Sequence, residues 1–353
     1  MKILSKIFPS PNYLNIPCFG VYMSDTSIKY VQINSNGIFD KLGKFGVVDL
    51  PEGVIRNGEI LNPEKVVEIL RDIKNKEKVS FARVGIDEKN IFQYILEIPV
   101  EKSKNIKQIV EASVEEKSGT SFKNFVVDYE IIEASTKSIK ISVFVSKKQT
   151  IGGYISIFDK AKIKIISLEP VGNALVRAVG GGSGGQIIVD IGKRKTDLLF
   201  VYKGKKIYST EIFFGGELVT KALVAKLGLS FSQAENKKIS VGLNKSLENK
   251  DFFEFLVGNI SILKDKINST YLEWISENKE QMFLDFKLQK IILSGGTANM
   301  AGLKDYLATT LKIPVEIANP WINLQTSESF VSTMTYEDSL SFAQVVGLAM
   351  AEK

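Results

Sequence analysis

No histidine occurs anywhere in the 353 residues, and cysteine occurs once. The first absence excludes Ser-His-Asp and Cys-His catalysis and the usual histidine-ligated zinc sites. The second excludes an intrachain disulfide framework and a multi-cysteine metal centre. Cys18 lies in an apolar run and reads as a small buried side chain rather than a nucleophile. No stretch is long and apolar enough to cross a bilayer as a helix. The start, MKILSKIFPSPN, is cut short by Pro9 and Pro11, and no small-residue cleavage site follows, so it makes a poor signal peptide. It reads as a frayed terminus or as a short amphipathic foot on a membrane. A cytoplasmic location is expected. Any chemistry falls to carboxylates, lysines, hydroxyls and backbone amides, a set suited to magnesium and phosphate.

What is present is an ordinary globular composition, 44% hydrophobic, at a length that suits two domains rather than one core. The net charge of +6 favours approach to anionic partners. The lysines are dispersed and not interleaved with aromatic residues, so a solvated surface is expected and nucleic-acid binding is not.

Two segments share one rhythm: FGVYMSDTSIKYVQINSNG from Phe19 and IIVDIGKRKTDLLFVYKG from Ile187. Each reads as a hairpin of two apolar strands with a polar tip. After the first, NPEKVVEILRDIKNK carries Asn62 at a helix cap and Pro63 in the first turn. FARVGI and IFQYILEIP read as strands, KNIKQIVEASVEEKSG as a helix, and VVDYEII and IKISVFVSK as strands again. The stripe Ile106, Ile109, Val110 and Val114 reads as core rather than as a peptide groove. GGGSGG, Gly180 to Gly185, has no strand leading in and no Lys-Ser/Thr pair after it, so it reads as a hinge and not a phosphate loop. GGELVTKALVAKLG, SFSQAENKK and the stretch from Asp251 to Phe286 read as helices, and KIILSGGTANMAGLKDYLATTL as strand, double-glycine turn and helix.

Three turns therefore hold small or hydroxyl residues: Ser24–Ser27, Gly192–Thr196 and Gly295–Thr297. A hairpin tip of that composition can aim backbone N–H groups at phosphate. A carboxylate at the end of the preceding strand can hold magnesium through water or orient an attacking water. A strand-Gly-Gly-helix turn allows close approach of a base and ribose, because glycine lacks a Cβ. Glu169, before Pro170, is either an acid-base group or a strand-ending glutamate.

The three turns, in this order, resemble the actin-like ATPase superfamily, in which two similar halves grip a nucleotide. The repeated hairpin would then be an internal duplication. VDIGKRKTDLLFVYKG is similar to the second phosphate loop, with Asp190, Gly192 and Thr196 at the matching positions. FFGGELVTKAL resembles the helix on the adenine side, carrying Gly216 and Lys221. IILSGGTANMAGLKDYL resembles the adenosine motif, with Gly295, Gly296 and Thr297. Within the superfamily, GEILNPEKVVEILRDI, LEIPVEKSKNIKQIVEASVEEKSGTSF and VSKKQTIGGYISIFDKAKIKIISLEPVGNAL resemble the PilM family of type IV pilus assembly. The resemblance implies an α/β actin-like fold with an inserted α+β subdomain. It divides the chain into an extension (1–16), a first core (17–44 and 146–185), an insert (45–145), a second core (186–214 and 288–353) and a helical subdomain (215–287).

It also implies a platform at the inner face of the cell membrane, in a type IV pilus or type II secretion complex. The platform would bind the cytoplasmic tail of a PilN-like membrane protein in a groove between first core and insert. Contacts with other platform proteins are implied, and self-association is left open. The first loop departs from the family pattern, roughly Gly-Ile-Asp-Ile-Gly-Ser-Ser-Ser-Ile-Lys. The strand-end aspartate is Tyr22 and the loop glycine is Ser24, while Thr26, Ser27 and Lys29 persist. ATP with magnesium is therefore expected through Thr26, Ser27, Lys29 and the second-half residues, Asp190 serving the metal. Hydrolysis is expected to be weak or absent. A small-molecule or sugar kinase and an FtsA-like polymerising protein are the alternatives. The first lacks a glycine-rich first loop, and the second ends in an amphipathic helix not expected here.

Overall fold

A computed structural model describes residues 18–35, 39–246, 249–278, 286–327 and 331–350. The extension 1–16 lies outside them. The chain divides into two compact units: residues 1–177, 324–333 and 344–353 form one, and 178–323 with 334–343 the other.

In the first unit, β1 (Phe19–Met23) pairs antiparallel with β2 (Ser27–Ser35), which pairs antiparallel with β3 (Asp40–Asp49). On its other side β1 runs parallel to β6 (Phe81–Ile86), and β6 to β10 (Lys164–Pro170). Between β3 and β6 lie a short hairpin, β4 (Ile55–Arg56) and β5 (Glu59–Ile60), and helix α1 (Pro63–Glu77). The side chain of Asn62 accepts the Lys65 N–H at the start of α1, as the cap pattern requires. Val66, Leu70 and Ile73 of α1 pack with Val21, Val84 and Phe158 in one core.

The second unit repeats this topology. Strands β11 (Gly185–Ile191), β12 (Thr196–Tyr202), β13 (Lys205–Ile212), β14 (Leu288–Ser294) and β15 (Val315–Ile317) give the order β13-β12-β11-β14-β15. That matches β3-β2-β1-β6-β10 strand for strand, so the duplicated hairpin belongs to a duplicated sheet. Helices α5 (Gly216–Leu227), α6 (Phe231–Ser240) and α7 (Lys250–Glu277) fall where helices were expected, though residues 279–285 are outside the described chain.

The expected insert, 45–145, does not match the pairing. Residues 45–49 continue β3, and β6 lies inside the first sheet. The segment with its own core runs from β7 (Phe92–Pro99) through α2 (Ile106–Ser118) and β8 (Phe125–Ala134) to β9 (Ser138–Lys147), in sheet order β7-β9-β8. Val110 and Val114 pack on Ile98, Ile141 and Val143, so the apolar stripe of α2 is core, as its spacing predicts. After β9 come α3 (Lys148–Lys160) and, beyond β10, α4 (Val171–Val179). The last elements are α8 (Leu303–Leu311) and α9 (Tyr336–Ala349).

Candidate functional site

In the first unit the loop after β1 is closed on itself. Ser24 Oγ accepts the N–H groups of Thr26 (3.4 Å) and Ser27 (3.1 Å), and the Ser24 N–H donates to the Ser27 carbonyl at 2.9 Å. These are the amides that a phosphate loop would offer, and here neighbouring oxygens accept them. Thr26 and Ser27 thus serve the turn, where phosphate contact was expected. Lys29 lies on β2 opposite Tyr22. Tyr22 is buried and donates its hydroxyl to Asp87 Oδ2 at 2.9 Å. Glu169 forks Arg177, whose Nη1 also donates to the Gly347 carbonyl at 2.7 Å, so Glu169 is held in an ion pair.

The second unit gathers most of its expected residues. Asp190, next to last in β11, lies beside Ser294 of β14, and the Gly192 N–H closes the turn onto the Lys195 carbonyl at 2.9 Å. The Gly216 N–H, opening α5, donates to the Gly192 carbonyl at 3.0 Å. Thr297 Oγ1 lies 3.5 Å from that same carbonyl. Gly295 has φ +84°, and a Cβ there would stand 2.5 Å from the Ile191 carbonyl, so only glycine closes this bend. A Cβ on Gly296 meets nothing nearer than 3.8 Å, and the residue is exposed. Asp190, Gly192, Gly216, Gly295, Gly296 and Thr297 therefore share one neighbourhood.

Two expected residues turn their side chains elsewhere. Thr196 is fully buried and its hydroxyl donates to the Phe214 carbonyl at 2.7 Å, fixing the approach to α5. Lys221 points to solvent and pairs with Glu217 at 2.7 Å; its hydrogen bond holds that carboxyl below the usual glutamate range. Sequence reasoning missed Lys238. It is buried under Gly216, with Nζ donating to the Gly216 carbonyl (3.0 Å), Thr220 Oγ1 (2.9 Å) and Glu235 Oε2 (2.8 Å). Burial pushes its ammonium below the usual lysine range, against the pull of Glu235.

A concavity lies elsewhere in the first unit, between the flank of the first sheet and the insert. It is a groove of about 1130 Å³. Its apolar surface includes Ile60, Phe92, Tyr94, Val145, Tyr154 and Ile157. Phe92 is 54% exposed, and its ring lies beside that of Tyr94 with the centroids 5.3 Å apart. Arg56, Lys89, Lys117, Lys147 and Lys160 stand around it, with Glu59 as the carboxylate. Gly153 of α3 also lines it, with nothing within 4 Å of where a Cβ would be. A sequence signal for this groove existed in the paired glycines 152 and 153, which interrupt an otherwise helical segment.

Comparison with known proteins gives a consistent picture. The family model of type IV pilus assembly protein PilM matches residues 20–353. A chain of a solved PilM-PilN type IV pilus biogenesis complex is similar with TM-score 0.76 and 17% identity, covering 95% of this chain and 98% of that one. MreB5 of Spiroplasma citri, solved with ADP, is similar with TM-score 0.56 and 11% identity, covering 94% of each chain. The cell division protein FtsA of Buchnera aphidicola is 27% identical over 207 residues, 52% of this chain. The match spans 50% of that relative's length. The fold is that of the actin-like ATPases.

Proposed function

The chain belongs to the family of type IV pilus assembly proteins of the PilM kind, and on that premise we propose that it is an actin-like platform protein whose groove seats the tail of a PilN-like membrane protein. The observation that carries this reading is the apolar groove with its cationic rim. An apolar strand or turn fills the aromatic floor, and carboxylates on the same segment meet Lys147, Lys160 and Arg56. Docking of that tail would place the protein at the inner face of the cell membrane, beside the other platform proteins.

A synthetic peptide of the partner's cytoplasmic tail, titrated by calorimetry, tests the reading. The expected dissociation constant is in the micromolar range, about −8 kcal/mol. The affinity should weaken as salt rises from about 0.05 to 0.5 M, because exposed cations are screened over about 10 Å or less. Absence of binding at millimolar peptide would overturn the reading.

A nucleotide is the second part of the proposal. The open face of Gly296 fits a flat nucleoside, and Asp190, beside the Gly192 turn, suits a magnesium ion carried by the phosphates. The fold's likeness to an ADP-bound MreB5 supports the same reading. Bound magnesium would neutralise phosphate charge, with Asp190 as its ligand through water. On the first loop the residues do not fit the ion: the strand-end position is a tyrosine bonded to Asp87. ATP is accordingly proposed as a ligand that is not turned over. Excess ATP should raise the melting temperature, since ligand at about 100 times Kd stabilises by about 2.7 kcal/mol. Gly296→Val, which crowds the open face, should abolish that shift while leaving the unliganded melting temperature within a few degrees. An equal ATP shift in both proteins would remove Gly296 from the site.

A further inference from the structure

Tyr22 and Asp25, three residues apart at the first loop, both lead to the groove. Tyr22 holds Asp87 through Oδ2. Asp87 Oδ1 accepts the Lys89 N–H at 3.1 Å and so caps the single turn Glu88–Asn90. Glu88 in that turn accepts the Gly172 N–H at 2.7 Å. Asp25 grips the tip of the β4–β5 hairpin: Oδ2 accepts the Asn57 N–H at 2.7 Å and Oδ1 the Gly58 N–H at 2.9 Å. Asn57 and Gly58 have φ of 51° and 71°, the left-handed pair that a tight two-residue hairpin turn requires. Asn90 Nδ2 then donates to the Gly58 carbonyl at 2.8 Å. Asn57, Gly58, Lys89 and Asn90 all line the groove.

A hairpin with two residues in each strand cannot hold its own position. Ile55 and Ile60 pack its strands against the core, and its tip is held by Asp25, which grips it bidentately. We infer that Tyr22 and Asp25 are positioning residues of the peptide groove: the loop that resembles a phosphate loop in sequence here fixes one wall of a protein-binding site. The side chain that replaces the strand-end aspartate, and the carboxylate set three residues later, both act on that wall. The inference rests on the groove being the seat of the partner's tail.

The test uses the full chain, the partner-tail peptide and the variants D25A, D25N and Y22F. Peptide affinity is measured by calorimetry, and amide exchange at Asn57 and Gly58 by NMR. D25A should weaken peptide binding about tenfold, the equivalent of about 1.4 kcal/mol, and accelerate exchange at both amides. D25N retains one acceptor oxygen and should recover part of the affinity, and Y22F should weaken binding by a smaller factor. Wild-type affinity in D25A, or unchanged exchange at Gly58, overturns the inference while leaving the groove reading intact. Failure of the wild-type protein to bind the peptide overturns both. Should D25A not fold, Y22F decides alone: it removes one hydroxyl, and undiminished affinity counts against the inference.

Discussion

Gly347→Val should unfold the first unit or lower its melting temperature by more than about 10 °C, the largest single-residue effect expected in that unit. A Cβ at this position in α9 would stand 1.8 Å from the Ala174 carbonyl oxygen and 2.4 Å from its carbon, both backbone atoms of α4. No rotamer change relieves that contact. The same end of α9 meets β1 in the same manner: a Cβ on Gly20 would lie 2.3 Å from the Val345 carbonyl and 2.5 Å from the Ala349 nitrogen. Helix, strand and second helix touch backbone to backbone, and glycine is what permits it.

The surroundings are also pinned. Arg177 donates to the Gly347 carbonyl, and Arg83 Nη1 to the Met350 carbonyl at 3.0 Å, so the end of α9 cannot drift outward without losing charged hydrogen bonds. Forcing extra carbons into a well-packed core costs about 1–3 kcal/mol where side chains can move, and more where they cannot. Against a total stability of about 5–15 kcal/mol, strain of that size or more is decisive. Calorimetric melting checks this, with Gly258→Ala as the contrast. Gly258 lies inside α7 with open space around it, and alanine there should add about 1 kcal/mol. A Gly347→Val protein that melts with the wild type would show that α9 and α4 are not in this contact.

How much of this was legible in the sequence depends on what kind of interaction fixed each feature. The duplicated hairpins were legible, because strand alternation and polar tips are local, and each is recovered as a strand pair. The partner of FARVGI was not. A short apolar run reads as a strand without saying which sheet receives it, and Phe81–Ile86 pairs in parallel with both β1 and β10 rather than within the insert. The burial of its last three residues is what a central parallel strand needs, and periodicity cannot separate that from an insert strand. Gly295 was legible as a turn glycine: a strand-Gly-Gly-helix turn favours positive φ, and the residue has it. Thr196 was not, because a hydroxyl beside a glycine turn can face a ligand or a backbone carbonyl, and only the position of Phe214 decides. Asp25 carried no legible role, standing three residues past the strand-end position. Its true contacts, Asn57 and Gly58, lie more than thirty residues away in sequence and could not be paired with it by spacing.

The groove glycine carries the second large expectation, in which stability and binding move in opposite directions. Gly153 sits in the middle of α3, exposed and with open space beyond its Cα. A helix-interior glycine is less favourable than alanine by about 0.8–1.0 kcal/mol. Nothing in the packing of α3 requires it, since no atom lies within 4 Å of the missing Cβ. What the absent side chain leaves is room in the groove for a bound backbone to approach the helix. Gly153→Trp should therefore reduce affinity for the partner-tail peptide by at least about a hundredfold, close to 2.8 kcal/mol, while the protein remains folded. Gly153→Ala should raise the melting temperature by about 2–4 °C, as 1 kcal/mol does for a unit of this size, and still weaken the peptide. Gly152 supplies the internal control. It is equally exposed, equally free of neighbours and outside the groove lining, so Gly152→Ala should give the same stabilisation with unchanged affinity. Paired calorimetry and peptide titration on the three variants separate a glycine kept for the helix from one kept for a ligand. If Gly153→Trp binds the peptide as the wild type does, the tail does not lie along α3.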